Sequence, residues 1–103
     1  MNELTMETAL LKYSLTEVIR KLRELLIQHG FLIENFDEKN KVVMAYHDGS
    51  WYRSPKYILF ELSSMDNVIT RIDITASIES RKKNRKAEEV VEEKIASIIY
   101  NSF

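Results

Sequence analysis

Between Leu15 and His29 apolar residues recur every three or four positions. Leu15, Val18, Ile19, Leu22, Leu25, Leu26 and His29 fall on one stripe, with Glu17, Lys21, Glu24 and Gln28 opposite. That period predicts an α-helix with one face against a core. Its start is marked by Ser14, Leu15, Thr16 and Glu17, a capping box: the Ser14 hydroxyl can accept from the Glu17 amide while the Glu17 carboxylate reaches back to the cap. Gly30 follows the last apolar position and can take the left-handed conformation that ends a helix.

After Gly30 the period falls to 2. FLIENF (31–36), KVVMAYH (41–47), KYILFELS (56–63) and NVITRIDITASIE (67–79) read as four strands separated by polar turns. In the last of them Val68, Thr70, Ile72, Ile74, Ala76 and Ile78 alternate with Ile69, Arg71, Asp73, Thr75, Ser77 and Glu79, which predicts one buried and one wet face. Ile58, Phe60 and Leu62 are the inward set of the third strand, leaving Tyr57, Leu59 and Glu61 outside. In the second strand Val42, Met44 and Tyr46 compete with Val43, Ala45 and His47 for the core, and the pattern leaves both open. The connections at 37–40, 48–55 and 64–66 are too short for crossovers, so the strands are expected to be antiparallel neighbours.

Residues 85–101 carry a second helical stripe of Ala87, Val90, Val91, Ile95, Ile98 and Ile99, with Glu88, Glu89, Glu92 and Glu93 largely off it. Residues 4–12, LTMETALLK, fit both a helical and a strand spacing; two threonines and the helix cap that follows favour a strand. The expected order is β-α-β-β-β-β-α, an α+β fold with an antiparallel sheet of four to five strands and two helices packed on one face. This order resembles one repeat of the TATA-box-binding-protein-like, or helix-grip, architecture, in which a curved sheet wraps a long helix. The resemblance spans the chain through element order and is carried by no sequence motif, so it implies a fold and transfers no function.

A chain of 103 residues has room for one core, so a single domain over 1–103 is expected. Hydrophobic residues at 45% and charged residues at 30% fit a globular protein. No apolar run approaches the roughly 20 residues of a spanning helix. The amino-terminal MNELTMETALLKY lacks the basic and apolar regions of a secretory signal, and there is no Cys. These features predict a cytoplasmic protein, and the lack of Cys excludes thiolate zinc sites and cysteine nucleophiles. With 15 basic and 16 acidic residues the net charge is -1, so an electrostatic partner needs a local patch.

One such patch is RKKNRK, where Arg81, Lys82, Lys83, Arg85 and Lys86 stand at the start of the last helix, the end whose dipole disfavours cations. It reads either as a nucleic-acid or anion contact or as a solvated loop that offsets Glu88, Glu89, Glu92 and Glu93 one turn later. The two histidines, His29 and His47, share no metal-ligand spacing. His29 reads as a helix-end residue near the last carbonyls and His47 as a strand-end residue. No GxSxG elbow or phosphate-cradling glycine loop occurs, and the Glu92–Glu93 pair reads as part of a solvated outer face. No catalytic residue, cofactor or metal is therefore expected, and the sequence reads as a non-enzymatic protein.

The segment HDGSWYRSPKY, residues 47–57, holds the only Trp and the only Pro. Asp48, Gly49 and Pro55 are accounted for by turn chemistry. Trp51, Tyr52 and Arg53 are not, and they belong to the residue types enriched at interface hot spots. With Tyr57 and Leu59, and with Val43 and Ala45 beside them, they predict an apolar outer sheet face used for protein interaction, most simply as a homodimer. The runner-up expectation is nucleic-acid binding through residues 81–86; a third is a hydrophobic ligand held between sheet and helix.

Overall fold

A computed structural model of the chain describes residues 3–5, 8–48, 55–78 and 85–103, with residues 3–5 and 85 described by their backbone alone. It contains two helices, α1 (Leu15–Gln28) and α2 (Arg85–Ser102), and the strands β1 (Glu3–Thr5), β2 (Thr8–Leu11), β3 (Leu32–Asp37), β4 (Val42–His47), β5 (Lys56–Asp66) and β6 (Ile69–Ile78). The strands form one antiparallel sheet in the order β1-β2-β6-β5-β4-β3. The expected α+β class and element order are present, and the amino-terminal segment is strand. It divides into β1 and β2, so a three-residue sixth strand joins the rim.

Ser14 caps α1 as the sequence predicts, accepting from the Glu17 amide at 3.4 Å. The Glu17 carboxylate accepts from the Ser14 hydroxyl at 3.1 Å, which ties the two capping side chains to each other. At the other end the Gly30 amide donates to the Ile27 carbonyl and the Phe31 amide to the Leu26 carbonyl, with Gly30 at φ 84°. This pairing is a Schellman motif, and the two residues at the positions such a motif brings together, Phe31 and Leu26, both belong to the core. Phe31 therefore belongs to the helix stop, and β3 begins one residue later.

Register puts one parity of each strand on the core side. Val43 pairs with Phe60 and Ala45 with Ile58; Phe60 pairs in turn with Ile74, Ile58 with Ala76 and Leu62 with Ile72. This face packs on Val18, Leu22 and Leu26 of α1 and on Val91, Ile95, Ala96 and Ile99 of α2. The competition within β4 is thus settled for Val43, Ala45 and His47, all buried, while Val42, Met44 and Tyr46 lie on the outer face. β5 continues through residues 64–66, so the hairpin turns at Asn67 and Val68, and Val68 is exposed rather than inward. The far ends of the helices are joined where the Phe103 ring meets Tyr13 edge-on at 5.6 Å and the Lys21 ammonium lies 4.5 Å over Tyr13.

The carboxylates of α2 depart most from the sequence reading. Glu88 and Glu92 are buried rather than solvated, whereas Glu93 is exposed. β2 pairs with β6 only as far as Asp73, so beyond that residue the β6 edge lacks the β2 ladder. There the Ala76 amide donates to Glu92 Oε2 at 2.7 Å and the Ile78 amide to Glu88 Oε2 at 3.1 Å. Side chains four apart on a helix are separated by about 6 Å along its axis. Alternate residues of a strand are about 6.8 Å apart. Two glutamates at i and i+4 therefore match two outward amides at j and j+2, and α2 caps the strand edge with side chains.

Candidate functional site

The outer face of the sheet is covered by neither helix, and register lays its side chains out in rows. Leu32, Tyr46, Tyr57 and Ser77 stand side by side across β3, β4, β5 and β6. The next row holds Met44, Leu59 and Thr75, and the one beyond it Val42, Glu61 and Asp73. The Tyr46 and Tyr57 rings meet at 4.8 Å. Leu32 is 63% and Tyr57 36% exposed, while Val42, Met44, Tyr46 and Leu59 are half-buried by one another.

Apolar character is thus gathered on the β3-β4-β5 part of the face. Toward β6 and β2 the face turns polar and its charges satisfy each other: Asp73 accepts from Thr8 Oγ1 at 2.8 Å and from Arg71 Nε at 3.0 Å. Of the residues predicted for this surface, Tyr57 and Leu59 are on it. Val43 and Ala45 are not, because β4 has the opposite parity; Met44 and Tyr46 take their places. Trp51, Tyr52 and Arg53 lie outside the described residues, although the strand ends that carry their segment, His47 and Lys56, are paired directly above the Tyr46–Tyr57 row.

That His47–Lys56 pair points to the core side. Lys56 is fully buried and His47 nearly so. Burial pushes the Lys56 ammonium below its ordinary value, partly offset by the negative charge of Asp48. Burial also lowers His47, and the neighbouring Lys56 charge adds to it; Asp48, at 3.6 Å from Nδ1, and a hydrogen bond to the His29 carbonyl act in the opposite direction. The Phe31 ring packs edge-on at 4.8 Å. A lysine with a lowered pKa can act as a nucleophile or base when a substrate reaches it; here the amine is enclosed, so the pair acts on the structure at the base of the 47–57 segment. Both residues share the parity of the apolar inward sets of β4 and β5, a signal present in the sequence.

His29 stands at the helix end as expected, but it meets the last carbonyls through its backbone amide, and its side chain is exposed. Of the basic cluster, Arg81, Lys82 and Lys83 lie outside the described residues, Arg85 opens α2 and Lys86 is exposed. Among the described residues no group of three or more His, Asp or Glu is placed to hold a metal ion. Nor is any helix among them long and apolar enough to cross a membrane. Between helices and sheet lies the apolar core. A groove of about 700 Å³ lies outside it, between α1 and β3. Comparison with protein-family models and with curated proteins finds no match to this chain.

Proposed function

We propose that the protein is a small non-enzymatic interaction module that pairs with a second copy of itself through the outer sheet face and the 47–57 segment. The observation that carries this reading is the continuous row of Leu32, Tyr46 and Tyr57, backed by Met44 and Leu59, on the side of the sheet away from both helices. A two-fold contact uses the same patch on both partners, and a face that is apolar at one side and self-paired in charge at the other suits it. Five side chains on three strands fall short of the roughly 800 Å² per partner of a standard interface. Trp51, Tyr52 and Arg53, in the segment between the ends of β4 and β5, supply residue types suited to the remainder.

Light scattering on the purified chain tests this reading. A dimeric mass is expected, falling to the monomeric mass in Tyr57→Lys, whose partly exposed position tolerates the change in the monomer. A monomeric mass for the unaltered chain at about 100 μM, far above the Kd of a specific dimer, would sink the proposal.

A further inference from the structure

The groove between α1 and β3 is left unused by the sheet-face reading. β3 is the last strand of the sheet, so among the described residues its outward backbone groups meet no further strand. Because the turn from α1 into β3 is short, the two run antiparallel: Glu38 lies toward the start of α1, Phe36 beside its middle, and Leu32 near its end. The helix presents Ile19, Arg23 and Ile27 to the groove, one i,i+4 ridge, and the strand side supplies Phe36 and Glu38.

We propose that this groove receives a short extended segment of another protein, laid antiparallel to β3 and carrying the pattern basic-x-acidic-x-apolar. The spacing is the one α2 and β6 already satisfy within the molecule. Steps of four along a helix ridge are about 6 Å and alternate side chains of an extended chain about 6.8 Å apart, so successive inward side chains fall opposite successive ridge positions. Charge then fixes the order. Arg20 and Glu24 pair with each other at 3.6 Å. The Arg23 guanidinium lies 5.2 Å over the Phe36 ring and, among the described residues, pairs with no carboxylate. It is a planar donor held over the middle of the groove, suited to an incoming carboxylate. Glu38, one step toward the other end, calls for a cation, and Ile27, 64% exposed, calls for an apolar side chain.

The bulge between Ile33 and Asn35 interrupts the β3 ladder, which confines main-chain pairing to residues 35–37 and favours a short segment over a long strand. Within this chain the pattern occurs once, at residues 86–90, where it is helical in α2; the proposed occupant is a segment of a different protein.

Fluorescence anisotropy with a labelled heptapeptide, GKTETLG, tests the proposal on the full chain. Saturable binding is expected, weakened about tenfold by Arg23→Glu. The charge-swapped peptide GKTKTLG is expected to bind Arg23→Glu better than it binds the unaltered chain, a rescue that a purely structural role of Arg23 would not produce. Absence of saturable binding at millimolar peptide, or equal affinity of the two peptides for the unaltered chain, would overturn it. A monomer that binds GKTETLG with this charge dependence removes the dimer reading and leaves this one standing.

Discussion

At β6 the helix reaches the strand edge: Glu92 and Glu88 accept from the Ala76 and Ile78 amides, so two donors left beyond the end of β2 are satisfied inside the protein. At β3 the contact is looser: Arg23 of α1 reaches over the Phe36 ring, and an open groove runs along the helix ridge. Both places bring a helix alongside an incompletely paired strand, and both have the spacing that lets side chains at i and i+4 meet groups at j and j+2. What separates them is where the side chains go. Carboxylates of α2 accept from the amides of β6, whereas Arg23 of α1 lies over the Phe36 ring and Ile27 is exposed. One contact is therefore part of the folded structure, and the other is a surface with its specificity exposed.

The largest effect is expected from Glu92→Ala, which leaves the Ala76 amide buried without its acceptor and should cost about 2–3 kcal/mol in urea unfolding. Glu92→Gln, which keeps an acceptor oxygen, should cost markedly less, and exchange of the Ala76 amide should quicken in the Ala variant. Equal stability of Ala and Gln variants would show that α2 does not cap this edge.

A smaller effect is expected from pH, through the buried His47–Lys56 pair. His47 and Lys56 both have folded pKa values below their ordinary ones, 6.5 and 10.5. The unfolded chain then binds protons more readily, so stability falls as pH drops below about 10.5 on account of Lys56 and again below about 6.5 on account of His47, until each is protonated in the folded state as well. Lys56→Met removes one of the two influences that lower His47; its imidazole should titrate at higher pH by NMR, and the loss of stability between neutral and mildly acidic pH should shrink. An unchanged His47 titration would contradict the coupling.

The smallest effect is expected at the open contact. Arg23→Ala removes a side chain that joins no ion pair among the described residues, and its unfolding free energy should stay within about 0.5 kcal/mol of the parent. A cost comparable with that of Glu92→Ala would mean that the groove is part of the folding core after all.

Much of this architecture is legible in the sequence, because α1 has a cap, a stripe and a glycine stop that agree, and β6 alternates without a break. The capping glutamates were obscured by their charge: Glu88 and Glu92 look solvated, although their spacing to Ile95 and Ile99 puts them on the buried stripe with Val91. Lys56 and His47 were hidden in the same way, by residue type overriding parity. In β4 both parities are apolar, so no local pattern could choose between them; the choice is made by pairing with β5. Of the candidate surface, Tyr57 and Leu59 could be read directly, whereas the α1–β3 groove depends on how far a helix stands from a rim strand, which a sequence period does not encode.

The ordering of strand lengths has a further consequence. The longest strands, β5 with 11 residues and β6 with 10, lie inside the sheet, while the rims are β1 with three and β3 with six, the latter broken by a bulge. Stacking of chains into cross-β fibrils draws on uninterrupted segments of about six or seven residues with high strand propensity. In the folded protein KYILFEL is such a segment, and it is enclosed between neighbours on both sides. Fibril formation is therefore expected to track the unfolded fraction, so that the shelf life of a preparation is set by the contacts that keep α2 seated on β6.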